Sequence, residues 1–309
     1  MWWRWARVVG GASILAFLLA RLGGDSFVVA LRATDARALV AGTVIGAVTT
    51  LCAAWRWRVV ARALRIELPL GSAVAACYRA QFLNVTLPGG VLGDLDRGVH
   101  NGREIDDLGR GLRAVVWERT AGQVVLATLT VGALLIWQPF GSPSVLIAAG
   151  SLVGAAILLS AMAYAVRSRR TPAGRFARLA AEARGLTAPA TLLAMAATSL
   201  VVIAGHLATF LLAARTVGVQ LPVADLIPLA LVVLGAAGLP VNVAGWGPRE
   251  GAAAWVFGAV GAGAAQGLAV AVAYGVIVVV ATLPGALLLL IGRARWNPAV
   301  LAAQAGTHG

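Results

Sequence analysis

The sequence contains no lysine and little charge of any kind. Its 25 basic residues are all arginine, only 12% of its 309 residues are charged, and it has three histidines and two cysteines. Because a soluble domain carries about 25% charged residues, this composition argues against a soluble protein. Cys52 and Cys77 both fall inside apolar segments, so they predict neither a disulfide framework nor a cysteine-rich metal site.

Several motifs of nucleotide-driven and hydrolytic proteins are also absent. The sequence has no G-x-x-x-x-G-K, H-E-x-x-H, G-x-S-x-G or C-x-x-C pattern. Its polar segments stay below about 25 residues, whereas a small domain needs about 50. We therefore expect no ATP-driven pump, no catalytic domain outside a membrane, no cofactor and no metal within this chain.

Long apolar runs recur along the chain, which is 60% hydrophobic and has a mean hydropathy of +0.86. A helix needs about 20 apolar residues to cross a bilayer. We therefore predict an all-α, polytopic membrane helical bundle that forms a single transmembrane domain over residues 1–309. Six segments are predicted to cross fully: about 7–22, 38–55, 114–137, 145–166, 190–214 and 265–291.

Two further apolar stretches, 70–88 and 224–241, end in Leu-Pro and run into glycine-rich polar sequence. If both are re-entrant hairpins and both termini are cytoplasmic, most arginines fall on the cytoplasmic side, as the positive-inside rule requires. A full crossing by 70–88 would instead place the basic loop 167–189 outside. The net charge of +13 is explained by such loops at the plasma membrane, so we expect no nucleic-acid partner.

The two break-points resemble each other. Leu87-Pro-Gly-Gly-Val-Leu-Gly-Asp-Leu-Asp-Arg97 aligns without gaps on Leu239-Pro-Val-Asn-Val-Ala-Gly-Trp-Gly-Pro-Arg249. The same offset carries span 38–55 onto 190–207. We predict an inverted repeat with halves at about 7–137 and 145–291, since the first hairpin would enter from the cytoplasm and the second from outside. In transporters with such repeats, sites lie where helices are broken near the midplane.

Proline and glycine interrupt the helices at these break-points for backbone reasons. The residues are Pro88, Gly89, Gly90 and Gly93 in the first hairpin and Pro240, Gly245, Gly247 and Pro248 in the second.

Charged side chains at membrane depth cost about 2.5–3.5 kcal/mol each, so their presence needs a reason. Arg97 and Arg249 are predicted to project from the two hairpins toward a shared cavity and to bind a phosphate, with Arg119 as a third anchor or a counter-ion. Backbone N–H groups after Gly93 and Gly247 would bind the same anion. The supporting polar network is predicted to be Asp94, Asp96, Glu118, Glu250 and Arg79.

A second interpretation of these charged residues remains open, because positive and negative groups balance. They could form buried ion pairs that only lock the bundle. His206 is predicted to be a hydrogen-bonded packing residue rather than a proton relay.

Three motifs occur in order along the chain. They are Asn84…Leu87-Pro-Gly-Gly…Gly93-Asp-x-x-Arg97, then Glu118-Arg119…Gly122, then Leu239-Pro…Gly245-x-Gly-x-Arg249-Glu250. Together they resemble the transmembrane flippase-like domain of lysylphosphatidylglycerol synthases, over essentially the whole chain. Glu118 stands where aspartate is common in that family, and Asp94 stands where glutamate is frequent.

The resemblance implies lipid flipping, with Arg97, Arg119, Arg249 and Glu250 as the residues that carry it. The synthases also have a C-terminal aminoacyl-transferase domain. We expect a stand-alone member without that domain, because the chain ends shortly after Arg295, and so no lysyl transfer from tRNA.

The sequence-based hypothesis is a translocase, not driven by ATP, for a phosphate-bearing lipid. Candidates are an anionic or aminoacylated phospholipid or a polyprenyl-phosphate-linked sugar. One alternative is an intramembrane enzyme of polyprenyl-phosphate or glycolipid synthesis that uses Asp94, Asp96 or Glu250. Another is a non-catalytic partner subunit of a glycosyltransferase or synthase. The membrane lipid is the expected partner, and a homo-oligomer is left open.

Overall fold

The computed structural model describes residue 28 and residues 32–87, 89–137, 184–239 and 246–295. Two predicted spans, 7–22 and 145–166, lie outside the described residues, as does the basic loop up to residue 183. The described chain is helical, as predicted. Its helices are α1 (Ala36–Ala63), α2 (Leu70–Thr86), α3 (Leu92–Glu104), α4 (Leu108–Trp137), α5 (Pro189–Thr216), α6 (Val223–Ala237), α7 (Pro248–Ala259) and α8 (Ala264–Arg295).

Four of these helices, α1, α4, α5 and α8, are long and apolar enough to cross a membrane. They correspond to the predicted spans 38–55, 114–137, 190–214 and 265–291, and they make the protein a multi-pass membrane protein. The observed and predicted helix ends differ most for α1, which continues to Ala63, whereas the predicted span ends at residue 55. Its N-terminus is capped by Asp35, whose carboxylate accepts a 2.8 Å hydrogen bond from the N–H of Ala38.

The remaining four helices are short and form two consecutive pairs, α2–α3 and α6–α7. Helices α2 and α6 have 17 and 15 residues, fewer than the about 20 that a crossing needs. Helix α6 also contains Pro228. Each pair is broken at a predicted break-point.

Glycine is required at these breaks by the backbone. Gly89, Gly90 and Gly247 have positive φ values of 96°, 59° and 118°, which residues other than glycine rarely adopt. Pro248 takes the first position of α7, where a missing N–H breaks no helical hydrogen bond. The other predicted break-point residues, Pro88, Pro240 and Gly245, lie outside the described residues.

The first four helices, α1–α4, pack against the last four, α5–α8. Helix α1 packs along α5, α2 packs on α8, and α6 packs on α4. One buried apolar cluster surrounds Trp57 and Ile66 on the α1–α2 side, and a second surrounds Phe210, Phe257 and Leu268 on the α5–α8 side. Helix α3 packs between α2 and α4, which places its charged residues beside the first cluster.

Candidate functional site

Glu118 lies at the centre of a buried network of charged side chains. It is 1% exposed on α4 and accepts hydrogen bonds from Arg56 of α1 (Nε to Oε1, 2.8 Å) and Arg97 of α3 (Nη2 to Oε2, 2.6 Å). Arg56 also donates to the Ser199 hydroxyl of α5 at 3.0 Å. One carboxylate thereby links α1, α3 and α4 directly and α5 through Arg56.

Asp94, near the start of α3, extends this network to the protein surface. Its Oδ1 accepts from Arg97 Nε at 3.0 Å and from Arg119 Nη2 at 2.8 Å. Its Oδ2 accepts from the Asn84 amide at 3.1 Å. Arg119 lies on α4 next to Glu118, so Asp94 and Glu118 together hold the start of α3 against the middle of a membrane-spanning helix.

Asn84 closes the break between α2 and α3. While its amide nitrogen donates to Asp94, its Oδ1 accepts from the backbone N–H of Gly93 at 2.8 Å. The N–H of Gly93 is therefore bonded to the Asn84 side chain. Glycine is needed at position 93 because a Cβ there would lie 2.0 Å from the carbonyl oxygen of Ala80.

The network carries more positive than negative charge. Its ion pairs join the three guanidiniums of Arg56, Arg97 and Arg119 to the two carboxylates of Asp94 and Glu118. The side chains of Arg56 and Arg97 are 6% and 3% exposed, whereas that of Arg119 is 46% exposed. Of the three guanidiniums, that of Arg119 is thus the exposed one.

The two buried arginines are held by packing as well as by charge. The Arg97 guanidinium lies 4.8 Å from the centre of the Trp57 ring, a cation–π distance, and its Nη1 is 3.7 Å from the Cys77 sulfur. At Gly122 a Cβ would lie 3.0 Å from Arg56 Nη1. Gly122, part of the second sequence motif, thus leaves room for the Arg56 guanidinium.

Arg249 and Glu250 form a separate pair at the start of α7. Arg249 is 7% exposed and donates from Nε to Glu250 Oε1 at 2.8 Å, and Glu250 is fully buried. Glu250 Oε2 accepts from the N–H of Gly247 at 2.6 Å, so the Glu250 carboxylate caps the start of α7. The guanidinium lies 5.1 Å from the Trp246 ring and 5.4 Å from the Tyr274 ring.

Helix α5 contacts both the charged network around Glu118 and the surroundings of the Arg249–Glu250 pair. Ser199 is bound by Arg56, and about 10 Å further along the same helix His206 Nδ1 lies 2.9 Å from the Tyr274 hydroxyl. His206 thus has the hydrogen bond expected of a packing residue. Among the described residues, Arg97 and Arg249 have different partners and no side chain that pairs with both, so their predicted shared cavity stays a prediction.

The remaining predicted residues occupy two other places. Asp96 is exposed on α3, and Arg79 of α2 lines a cavity with Arg97. Among the residues that the structure describes, no three His, Cys, Asp or Glu side chains are placed to hold a metal ion.

Sequence reasoning missed Arg56, Ser199 and the role of Asn84. The predicted span 38–55 ends one residue before Arg56, although no glycine or proline interrupts the chain between Ala47 and Leu68. Asn84 belongs to the first motif, but no local pattern indicates that it bonds Asp94 and Gly93, and Ser199 has no sequence signal.

Comparison with known proteins supports the resemblance seen in the motifs. A search of curated proteins gives no match to the chain. The family model for the lysylphosphatidylglycerol synthase TM region matches residues 4–285. The match spans most of the sequence and contains all three motifs, and the chain therefore belongs to the lysylphosphatidylglycerol synthase transmembrane-region family.

Proposed function

We propose that this protein is a flippase-like translocase that moves a phosphate-bearing lipid across the bilayer without ATP. Arg119 carries the proposal, because it is a half-exposed arginine in a membrane-spanning helix, at the edge of a network with surplus positive charge. A guanidinium can bind a phosphate through two parallel hydrogen bonds. A charge at membrane depth is costly, so an arriving anion would be stabilised there.

Within this proposal, Arg119 binds the headgroup phosphate and Asp94 responds to it. Asp94 Oδ1 is shared between Arg119 and Arg97. A phosphate at Arg119 competes with this carboxylate, which can then pair more fully with Arg97. Binding at Arg119 is thus coupled to the break between α2 and α3, where Asn84 also holds Asp94.

The translocation step uses two halves, α1–α4 and α5–α8, as an inverted repeat with re-entrant α2–α3 and α6–α7 pairs. Two observations support the repeat. Both halves have the order long, short, short, long. The contact of α2 with α8 has its counterpart in the contact of α6 with α4. Rocking of the halves against each other would open the region around Arg119 and the region around Arg249 to opposite sides of the membrane in turn, as in transporters with broken helices.

Reconstituted liposomes test this function. The readout is the protection of a labelled anionic phospholipid or labelled polyprenyl phosphate from a membrane-impermeant reagent. Wild-type protein should speed transbilayer exchange relative to protein-free liposomes. Arg97→Ala and Arg249→Ala should slow it while the proteins keep their helical content and elution volume.

Absence of exchange for both probes would contradict the translocase proposal. Turnover of a polyprenyl phosphate in detergent, without any bilayer, would instead favour an intramembrane enzyme. Activity that depends on surface residues and not on Arg97 or Arg249 would favour a partner subunit of a glycosyltransferase or synthase.

A further inference from the structure

Helix α6 packs along α4 in the antiparallel direction. At its start, Asp225 accepts a 2.8 Å hydrogen bond from the indole N–H of Trp137, the last residue of α4. At its end, Gly238 lies against the side chain of Gln123 on α4, because a Cβ at Gly238 would be 3.0 Å from Gln123 Nε2. The stretch from Gln123 to Trp137 rises about 21 Å and that from Asp225 to Gly238 about 20 Å, so the two helices lie side by side between these contacts.

Arg119 lies one helical turn beyond the point where α6 ends. It precedes Gln123 by four residues, so the two side chains are neighbours on one face of α4, with about 5–6 Å between their β-carbons. Gly238, where α6 ends, is exposed, and the Arg119 side chain is 46% exposed. The second break between helices therefore lies next to the arginine whose partner, Asp94, belongs to the first break.

Gln123 brings an amide to this place that has no hydrogen-bond partner in the described part of the chain. Its side chain is half-buried, and its amide is not one of the unpaired polar atoms that are fully enclosed there, so a group from outside can reach it. Polar side chains at membrane depth are costly and mark substrate paths in transport proteins. An accessible amide one turn from an accessible arginine thus indicates a second contact for the same ligand.

We propose that Gln123 binds the phosphate together with Arg119, and that the end of α6 at Gly238 forms one wall of this site. One guanidinium takes two phosphate oxygens, and the Gln123 amide donates to a third. The site is thereby built by both halves of the chain, since Asp94 comes from the first break and Gly238 from the second. A phospholipid headgroup and free phosphate share this chemistry. The role of Gln123 in translocation rests on the proposed function, whereas binding itself does not.

Titration of the purified full chain with dihexanoyl phosphatidic acid and with inorganic phosphate tests the site, with bound probe counted by native mass spectrometry. Wild-type protein should bind the phosphatidic acid probe saturably. Gln123→Leu keeps the size of the side chain but removes the amide, and should weaken this binding by about tenfold. Thr128→Val is the matched control on α4, because Thr128 is exposed and its hydroxyl donates to the carbonyl of Val124 in its own helix at 2.9 Å; binding should not change.

A double-mutant cycle with Gly238 separates a shared site from a general loss of structure. Gly238 has φ −73° and ψ −9°, which alanine adopts without strain, so Gly238→Ala only adds a methyl group against the Gln123 amide. It should weaken binding of the phosphatidic acid probe in the wild-type background. In the Gln123→Ala background, where the amide is gone, it should have no further effect. A purely structural role of Gly238 would weaken binding equally in both backgrounds.

A Gln123→Leu variant that binds like wild type, or additive effects of the Gln123 and Gly238 substitutions, would overturn the proposal. Inorganic phosphate that binds as tightly as phosphatidic acid, with the same loss in Gln123→Leu, would support the site and identify free phosphate as its ligand. Binding with these mutational effects but without lipid exchange in liposomes would contradict the translocase alone. Exchange that proceeds equally in wild type and Gln123→Leu would contradict this site alone.

Discussion

Glu118 binds two buried arginines, so a change at this residue tests whether the charged network stabilises the fold. Buried charge pairs add little stability compared with an apolar core, but removing one partner leaves a buried charge without compensation. In this protein the loss of one carboxylate would affect Arg56 and Arg97 together.

Glu118→Gln should therefore lower the free energy of unfolding by roughly 3–5 kcal/mol, because it removes the negative charge between two buried guanidiniums. The measurement is denaturant unfolding of the purified protein in mixed micelles. Glu67→Gln is the control, since Glu67 is exposed just after α1. Equal unfolding midpoints for the two variants would show that the network does not contribute to stability in this way.

The sequence predicted part of the network, because ionisable residues at membrane depth are rare and are expected to find one another. Asp94, Arg97, Glu118 and Arg119, which stood out on this ground, are joined in the structure. Which carboxylate pairs with which guanidinium depends on how the helices are rotated and how deeply they insert. These are tertiary properties that no local pattern specifies.

At the scale of the helices, length and hydropathy predicted the long elements well. Helix α1 shows the limit of this reasoning, because its last two turns contain Arg56, Arg58 and Arg62. Arginines at the end of an apolar run suggest the end of a span. The helical hydrogen bonds nevertheless continue through them to Ala63, since nothing in that segment breaks the helix.

Close contact between helices depends on glycine at the crossing of α2 and α8. A Cβ at Gly285 would lie 2.2 Å from the carbonyl oxygen of Tyr78, so the two backbones would have to separate. Gly285→Ala should destabilise the protein by about 1–3 kcal/mol through overpacking. Thermal unfolding in detergent measures the effect.

Gly132→Ala is the matched control for this substitution, because nothing lies within 4 Å of its added Cβ on α4. Alanine is the better helix former, so this variant should be as stable as wild type or slightly more stable. If both alanine variants behave alike, the contact between α2 and α8 is looser than the structure describes.

At the scale of the whole molecule, the proposed inverted repeat makes a prediction about sidedness. Single cysteines at Gly71 and Arg103, which flank the α2–α3 pair, should react with an impermeant maleimide from the same side of the membrane. Cysteines at Gln220 and Ala265, which flank α6–α7, should both react from the opposite side. All four positions are exposed, and the background lacks the native cysteines.

Labelling of Gly71→Cys and Arg103→Cys from opposite sides would mean that the α2–α3 pair crosses the membrane. Labelling of all four positions from one side would mean that the repeat is not inverted. The sequence suggested the repeat because the Leu-Pro and Arg positions of the two break-points coincide. It could not show that Arg249 takes its carboxylate from the adjacent Glu250, whereas Arg97 takes one from α4.

The proposed role of Arg119 in holding the lipid phosphate is tested most directly by two arginine variants of one helix. Arg119 and Arg110 both lie on α4, are 46% and 42% exposed, and pair with one aspartate each. Arg110 lies at the start of the helix, whereas Arg119 lies further along it, bonded to Asp94. The measurement is the rate of labelled anionic phospholipid exchange in liposomes that contain Arg119→Gln or Arg110→Gln protein. We expect Arg119→Gln to slow exchange by about tenfold or more, as the loss of a charge-assisted hydrogen bond to phosphate requires, and Arg110→Gln to match wild type. Equal rates for Arg119→Gln and wild type would contradict the proposed phosphate site.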